Sequence, residues 1–407
     1  MGTTTTSKPI NWKRNLFFIW LGQILAVCGD SFALPFMPLY IRDNFGITDE
    51  TLRGSIVAAY QFFGTMTFCI SNPLWGMLGD RYGRKLMLLR AYFLNGITIP
   101  MMMFAPSWGW LIALRALVSC FSGTISASQT LMLATTPGDR HGFALGVLSS
   151  ALWSGTVLGL LGGGIIVHYF SYRAAFFTCG AMLFFSGMLM LLFVRENFVR
   201  PEKRASDKAL GTWLSWPILA PLIFIGAVAL ARRMDEPFLP ILTELVGGVE
   251  KAALHTSFVS AAAAVGGIVS GMMFGALSDR LPAWKLTLPA LLVASTAMLL
   301  QSRTESLWML GIWRFICYFA AGGIEPVFLR VLAQRVAPEH RGGALGLSAS
   351  FRVGGGVAAA ALSGIVVAHF QTRGVFFAAG VAMLLLMPLC LTVLYREIFG
   401  AKTDSDC

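Results

Sequence analysis

The sequence predicts an all-α membrane protein of twelve transmembrane helices, arranged as two pseudo-symmetric six-helix bundles. Three observations predict it. The chain of 407 residues is 56% hydrophobic and only 13% charged, where soluble domains carry about 25% charged residues. Its apolar residues fall into runs near the ~20 residues that a helix needs to cross the hydrocarbon. Short motifs recur about 200 positions apart.

Taken in order, the apolar runs place spans at 15–41, 54–78, 86–105, 108–133, 143–168 and 173–194. A second set follows at 215–242, 252–277, 286–302, 306–332, 343–368 and 374–395. Proline and glycine lie inside several of these runs, which neighbouring helices in a membrane bundle tolerate by satisfying the freed backbone groups. The long polar connection, 195–214, is rich in charge and follows the sixth span. It reads as a cytoplasmic linker between bundles at 1–194 and 215–396, with a polar tail at 397–407.

The repeat supports that division. Gly76-Met-Leu-Gly-Asp-Arg has a fainter copy, Gly275-Ala-Leu-Ser-Asp-Arg, 199 positions later. Arg115 recurs as Arg314, Gly142 to Gly146 as Gly342 to Gly346, Arg173 as Arg373, and Pro35-Phe-Met-Pro as Pro237-Phe-Leu-Pro. An even number of spans per half makes the repeat parallel, which places a substrate site near the midplane.

The net charge of +11 would suggest nucleic acid in a soluble protein. Here the basic residues concentrate in alternate loops, 19 against 6. That is the asymmetry that orients membrane proteins, and it puts both termini in the cytoplasm. Nucleic acid is therefore not an expected partner. The start of the chain is polar and basic, without a small-residue cleavage site before the first span. Six of the seven cysteines lie in apolar runs and read as small packing residues. No cysteine pair or His/Cys cluster has metal spacing, so no metal and no cofactor is expected. No phosphate-cradling loop is present, which argues against an ATP-driven pump.

The loop Gly76-Met-Leu-Gly-Asp-Arg-Tyr-Gly-Arg-Lys-Leu-Met-Leu resembles, position by position, the signature of the major facilitator superfamily. Within it the chain is similar to the multidrug efflux members of the twelve-span drug:proton antiporter branch, through Pro9 to Leu16, Pro35 to Tyr40 and Gly83 to Arg90. Siderophore exporters share these general motifs. The antiporter signature of span five is present at Gly155 to Gly163 with Leu160 in place of its proline, and Ser119 stands where the span-four motif has glycine. The resemblance implies the major facilitator fold, alternating access about a central cavity, and proton coupling through the span-four arginine, Arg115.

Candidate functional residues follow from charge. An ionised group at the bilayer centre costs ~2.5–3.5 kcal/mol on insertion scales, so it faces a partner or a wet cavity. Asp30 in span one and Glu325 in span ten are candidate proton carriers alongside Arg115. The structural alternative for Asp30 is a salt bridge or a wet mouth, and for Glu325 an ion pair with Arg330. Arg232, Asp235 and Glu236 have the i, i+3, i+4 spacing of one helical face, which directs Arg233 elsewhere. A helix break at Pro237 is the alternative there. Together with Arg314, Arg330 and Arg352, these three are candidates for the substrate cavity. Arg352 can serve as a cargo contact or as the partner of Glu325. Tyr60 and Gln61 in span two are further lining candidates. Gly76, Asp80, Arg81, Gly83, Arg84 and Lys85 read as a cytoplasmic gating latch, with Asp80 near a helix N-terminus and paired with Arg84 or Lys85.

The expected protein is a monomeric, proton-coupled exporter in a bacterial inner membrane. Its partners are the lipid bilayer, protons and a small amphiphilic or anionic molecule, and no enzymatic activity is expected. A dedicated transporter for one metabolite, such as a carboxylate siderophore, is the alternative. A membrane sensor on a transporter scaffold is a remoter one.

Overall fold

A computed structural model of the chain describes residues 11–198, 215–278, 280–336 and 340–399. Most of the expected linker (199–214) and most of the expected tail (400–407) lie outside the described residues. Among the described residues there are helices and no strands.

The helices are α1 (Trp12–Ala33), α2 (Met37–Phe45), α3 (Glu50–Tyr82), α4 (Arg84–Met101), α5 (Trp108–Phe121), α6 (Thr124–Thr135), α7 (His141–Tyr169) and α8 (Tyr172–Phe193). They continue as α9 (Trp216–Arg233), α10 (Leu239–Gly247), α11 (Ala252–Ser278), α12 (Ala283–Arg303), α13 (Leu307–Gly322), α14 (Ile324–Arg335) and α15 (Arg341–Phe399). Four expected spans are therefore built from two helices each. Spans one and seven break at their Pro-Phe-x-Pro motifs, because proline supplies no N–H to continue the ladder. Spans four and ten break at Gly123 and Gly323, the residues that precede α6 and α14.

Among the described residues, ten stretches are long and apolar enough to cross a membrane. One of them, Gly343–Leu394, has 52 residues. At 1.5 Å per residue it would be about 78 Å long, far beyond a bilayer's ~30 Å core. It holds spans eleven and twelve, separated at Gln371, whose backbone (φ 58°, ψ −172°) is not helical. Helix α3 supplies the remaining crossing, so the helices are consistent with twelve.

The chain packs as two compact units. The first comprises Met1–Leu34 and Ile70–Ser206; the second comprises Pro35–Cys69 and Asp207–Cys407. The segment from Pro35 to Cys69, which sequence reading puts in the first bundle, thus packs with the second unit. The first changeover coincides with the short 3-10 turn Leu34–Phe36.

In the first unit α1 lies along α7 and α8, and α4 packs on α8. A Cβ on Gly159 of α7 would stand 2.5 Å from the Cys28 carbonyl oxygen of α1, so only glycine permits this approach. The break in span four is stitched by three hydrogen bonds, two from α4 and one from α3. Arg90 donates to the Ser122 carbonyl (3.3 Å), the Trp75 indole donates to the Cys120 carbonyl (2.6 Å), and Asn95 donates to the Ser122 hydroxyl (3.2 Å). The first two satisfy carbonyls that lipid would leave bare.

The second unit repeats the device. Helix α9 lies along α15, and α11 packs on α13. A Cβ on Gly355 of α15 would collide with the Gly226 carbonyl of α9. Phe224 and Phe328 stack beside this contact, with ring centroids 3.9 Å apart.

Overpacking such a contact costs ~1–3 kcal/mol or more. Gly159→Leu and Gly355→Leu should each reduce the yield of monodisperse protein severalfold in detergent size-exclusion chromatography. Gly146→Ala, where a Cβ meets nothing within 4 Å, should leave the yield unchanged.

Candidate functional site

In the second unit the end of α9, the turn Glu236–Phe238, α14 and α15 enclose a cavity of about 170 Å³. Its charged wall is Arg232, Arg233, Glu236, Glu325 and Arg352. Arg352 donates to Glu325 at 2.8 Å, so the partner of Glu325 there is Arg352, from α15. Arg330 is half-buried and is not on this wall.

Of the expected face of Arg232, Asp235 and Glu236, only Arg232 and Glu236 share the wall, because α9 ends at Arg233 and helical spacing no longer applies beyond it. Asp235 is instead fully buried and paired with the buried Arg314, away from the cavity wall. Gln301 Oε1 accepts a further bond from Arg314 at 3.3 Å. Tyr318 Oη links the pair to the wall, lying 3.3 Å from Arg314 and donating to Glu236 at 3.1 Å. Arg233, directed elsewhere by sequence reasoning, joins Arg232 on the wall. Of the span-two candidates, Tyr60 is buried and Gln61 half-buried, and neither lines this cavity.

In the first unit Asp30 of α1 is half-buried, with Arg115 of α5 near enough for its charge to act on the carboxylate. The Cys179 thiol approaches Asp30 Oδ1 at 4.0 Å. One to two turns earlier on α1, Gln23 Oε1 accepts bonds from Tyr92 (3.1 Å) and Ser128 (2.7 Å), a fully buried polar knot.

The basic loop turns at Gly83, whose φ of 103° suits glycine. The residue that meets the N-terminus of α4 is Glu196, just past α8. Its carboxylate accepts from the Arg84 and Lys85 backbone N–H groups at 3.1 and 2.8 Å. A carboxylate at a helix N-terminus satisfies unpaired donors and the helix dipole together. Lys85 Nζ donates to the Leu191 and Val194 carbonyls at the end of α8. Asp80, given that role by sequence reading, is exposed and makes no ion pair among the described residues. Gly76, Gly79, Asp80 and Arg84 instead line a cavity of about 260 Å³ with Arg90, which lies 3.5 Å over the Trp75 ring. Arg81 is exposed, over the Tyr82 ring.

A further cluster escaped sequence reading. Arg42 of α2 and Arg53 of α3 both approach Glu244 Oε2 of α10 at 2.9 Å. Arg42 also pairs with Asp43 at 2.6 Å. Beside them, Glu50 accepts from the Thr372 backbone N–H at 2.7 Å. The repeat held a signal: Arg42 follows Pro35 by the same seven positions that separate Glu244 from Pro237.

Two helical units, apolar spans broken into shorter helices and a charged cavity among them mark a membrane transporter. The family model of the Major Facilitator Superfamily matches residues 19–302 and 290–405, and the chain belongs to that superfamily. It is 31% identical to the multidrug resistance protein MdtG of Enterobacter lignolyticus over 93% of this chain and 92% of that protein. MdtG of Salmonella heidelberg is likewise 31% identical, over 92% of this chain and 94% of its own. Among solved structures, a bacterial homolog of the human lysosomal transporter Spinster, inward-facing and occupied, superposes with a TM-score of 0.74 at 17% identity, covering 95% and 97% of the two chains. The nucleoside transporter NupG gives the same score at 13% identity, with 94% and 98% covered. The chain is thus a multi-pass secondary transporter of small molecules.

Removing one partner of a buried ion pair strands the other charge, at a cost of ~3–5 kcal/mol. Asp235→Ala should therefore lower the thermal unfolding midpoint of purified protein markedly. The double variant Asp235→Ala/Arg314→Met should recover most of the loss.

Proposed function

We propose that this chain is a proton-coupled exporter of small amphiphilic or anionic molecules in a bacterial inner membrane. It works as a monomer of two six-span halves, with both termini cytoplasmic. The names of its MdtG relatives, multidrug resistance proteins, support the direction and the breadth of cargo. The observation that carries the reading is Asp30, a carboxylate within a span, with Arg115 near enough for its charge to act on it.

The chemistry is a competition. Ionised Asp30 is stabilised by the Arg115 charge, and the Gln23, Tyr92 and Ser128 knot holds the neighbouring turns of α1. A proton arriving from outside neutralises Asp30 and ends its attraction to Arg115. The helices that carry the two residues are then free to shift. Glu325 and Arg352 form a second carboxylate–guanidinium pair on the cavity wall, where protonation of Glu325 would free Arg352 for cargo. The loop from Gly76 to Lys85 serves as the cytoplasmic latch, braced on α8 through Glu196.

Alternating access also needs a closure on the outer side. Glu244, shared by Arg42 and Arg53, is the clasp we assign to it. Both arginines come from segments continuous in sequence with spans one and two, and Glu244 from span seven.

Two measurements test these assignments. Asp30→Asn should lower pH-gradient-driven export from everted vesicles at least tenfold while leaving the size-exclusion profile intact; undiminished export removes Asp30 from the coupling. Glu244→Gln should raise labelling of a single introduced cysteine (Gln61→Cys) by an impermeant thiol reagent at least fivefold; an unchanged rate excludes the clasp.

A further inference from the structure

The five charged residues of the second unit's cavity are not equally occupied. Glu325 is taken by Arg352. Glu236 accepts from Tyr318, whose ring also lies 5.3 Å from the Arg232 guanidinium. Asp235, which follows the end of α9, is paired with Arg314 inside the bundle. Arg233 is left. It is exposed at the cavity wall and has no ion pair or hydrogen bond among the described residues.

Its surroundings are shaped for it. A Cβ on Gly356 would stand 3.1 Å from Arg233 Nη1 and 3.3 Å from its Cδ. Glycine at that place lets the guanidinium lie against α15. The rest of the wall is apolar, from Ile225, Val228, Ala229 and Ile324. Three guanidinium groups against two carboxylates leave the wall with one positive charge in excess. At about 170 Å³ the cavity is smaller than the ~300–1,000 Å³ that encloses a whole drug-sized ligand. It takes one end of a molecule.

We propose that Arg233 is the anion-recognising residue of this cavity, and that it selects organic acids bearing a single carboxylate or sulfonate on an apolar body. The planar fork of the guanidinium matches both oxyanions with two parallel bonds. The excess of one positive charge is neutralised by a monoanion. Val228 and Ile324 meet the first carbons of the apolar body. The proposal rests on the reading of this cavity as a cargo site and does not require proton coupling.

Equilibrium binding by the purified full chain tests it, with dansylglycine as the acid and its amide as the neutral control of equal shape. Wild-type protein should bind dansylglycine at least tenfold tighter than the amide. Arg233→Gln should abolish that preference while the amide affinity stays within twofold. Arg233→Lys, which keeps the charge but not the fork, should retain only part of the preference. Gly356→Ala, which leaves every charge in place and displaces the guanidinium, should weaken the acid severalfold and the amide little. A preference that survives in Arg233→Gln overturns the proposal, as does wild-type protein that binds both compounds equally. A parallel loss of both ligands in Arg233→Gln and Gly356→Ala overturns it too, since that marks a structural role. Failure of the exporter reading would look different: the acid preference would persist in binding while a pH gradient drove no transport.

Discussion

A charge carried into hydrocarbon must find a partner or water, and this constraint organises the polar interior of the molecule. Arg314 and Asp235 satisfy it by pairing in full burial. Arg352 and Glu325 satisfy it at a cavity wall, where the pair stays open to exchange. Glu244 holds two arginines at once. The first two pairs differ in burial. A sealed pair is a fixed strut, because breaking it strands a charge in a low dielectric. A pair that borders a cavity can trade its partner for a proton or a cargo anion at far lower cost. That distinction separates Asp235 and Arg314 from the residues proposed to handle cargo.

The repeat explains how one fold carries both kinds. Corresponding positions keep their architectural role and change their chemistry. Glycines of spans five and eleven, Gly155 and Gly355, let α7 approach α1 and α15 approach α9 in the same manner. Arg115 and Arg314 are equivalents, yet Arg314 is sealed against Asp235 while Arg115 acts on the half-buried Asp30. Arg42 and Glu244 are equivalents of opposite charge, and they meet each other. Chemical asymmetry is thus written into a repeated frame by single substitutions.

The fold was legible because it depends on long apolar runs and on motifs repeated about 200 positions apart, both of which survive without tertiary information. The individual partners were less so. The i, i+3, i+4 reading of Arg232, Asp235 and Glu236 assumed a helix that ends at Arg233, and so sent Arg233 away from a wall it lines. Asp80 is the acidic residue of the basic loop, but Glu196 lies at the α4 N-terminus from 111 residues away, a contact that local spacing does not encode. The cluster of Arg42, Arg53 and Glu244 joins segments 191 residues apart and more. Only the shared distance from the two proline motifs hinted at it. The changeover of packing units at Leu34 is likewise invisible in an apolar run that continues through it.

The most direct test of the central idea, that exchangeable charge pairs couple protons to cargo, is simultaneous recording of both fluxes in proteoliposomes holding the purified chain. An imposed proton gradient should drive dansylglycine against its own gradient, with protons moving the opposite way, and collapse of the gradient by an uncoupler should stop accumulation. Cargo movement that proceeds at the same rate with no proton gradient, and with no accompanying proton flux, would contradict it.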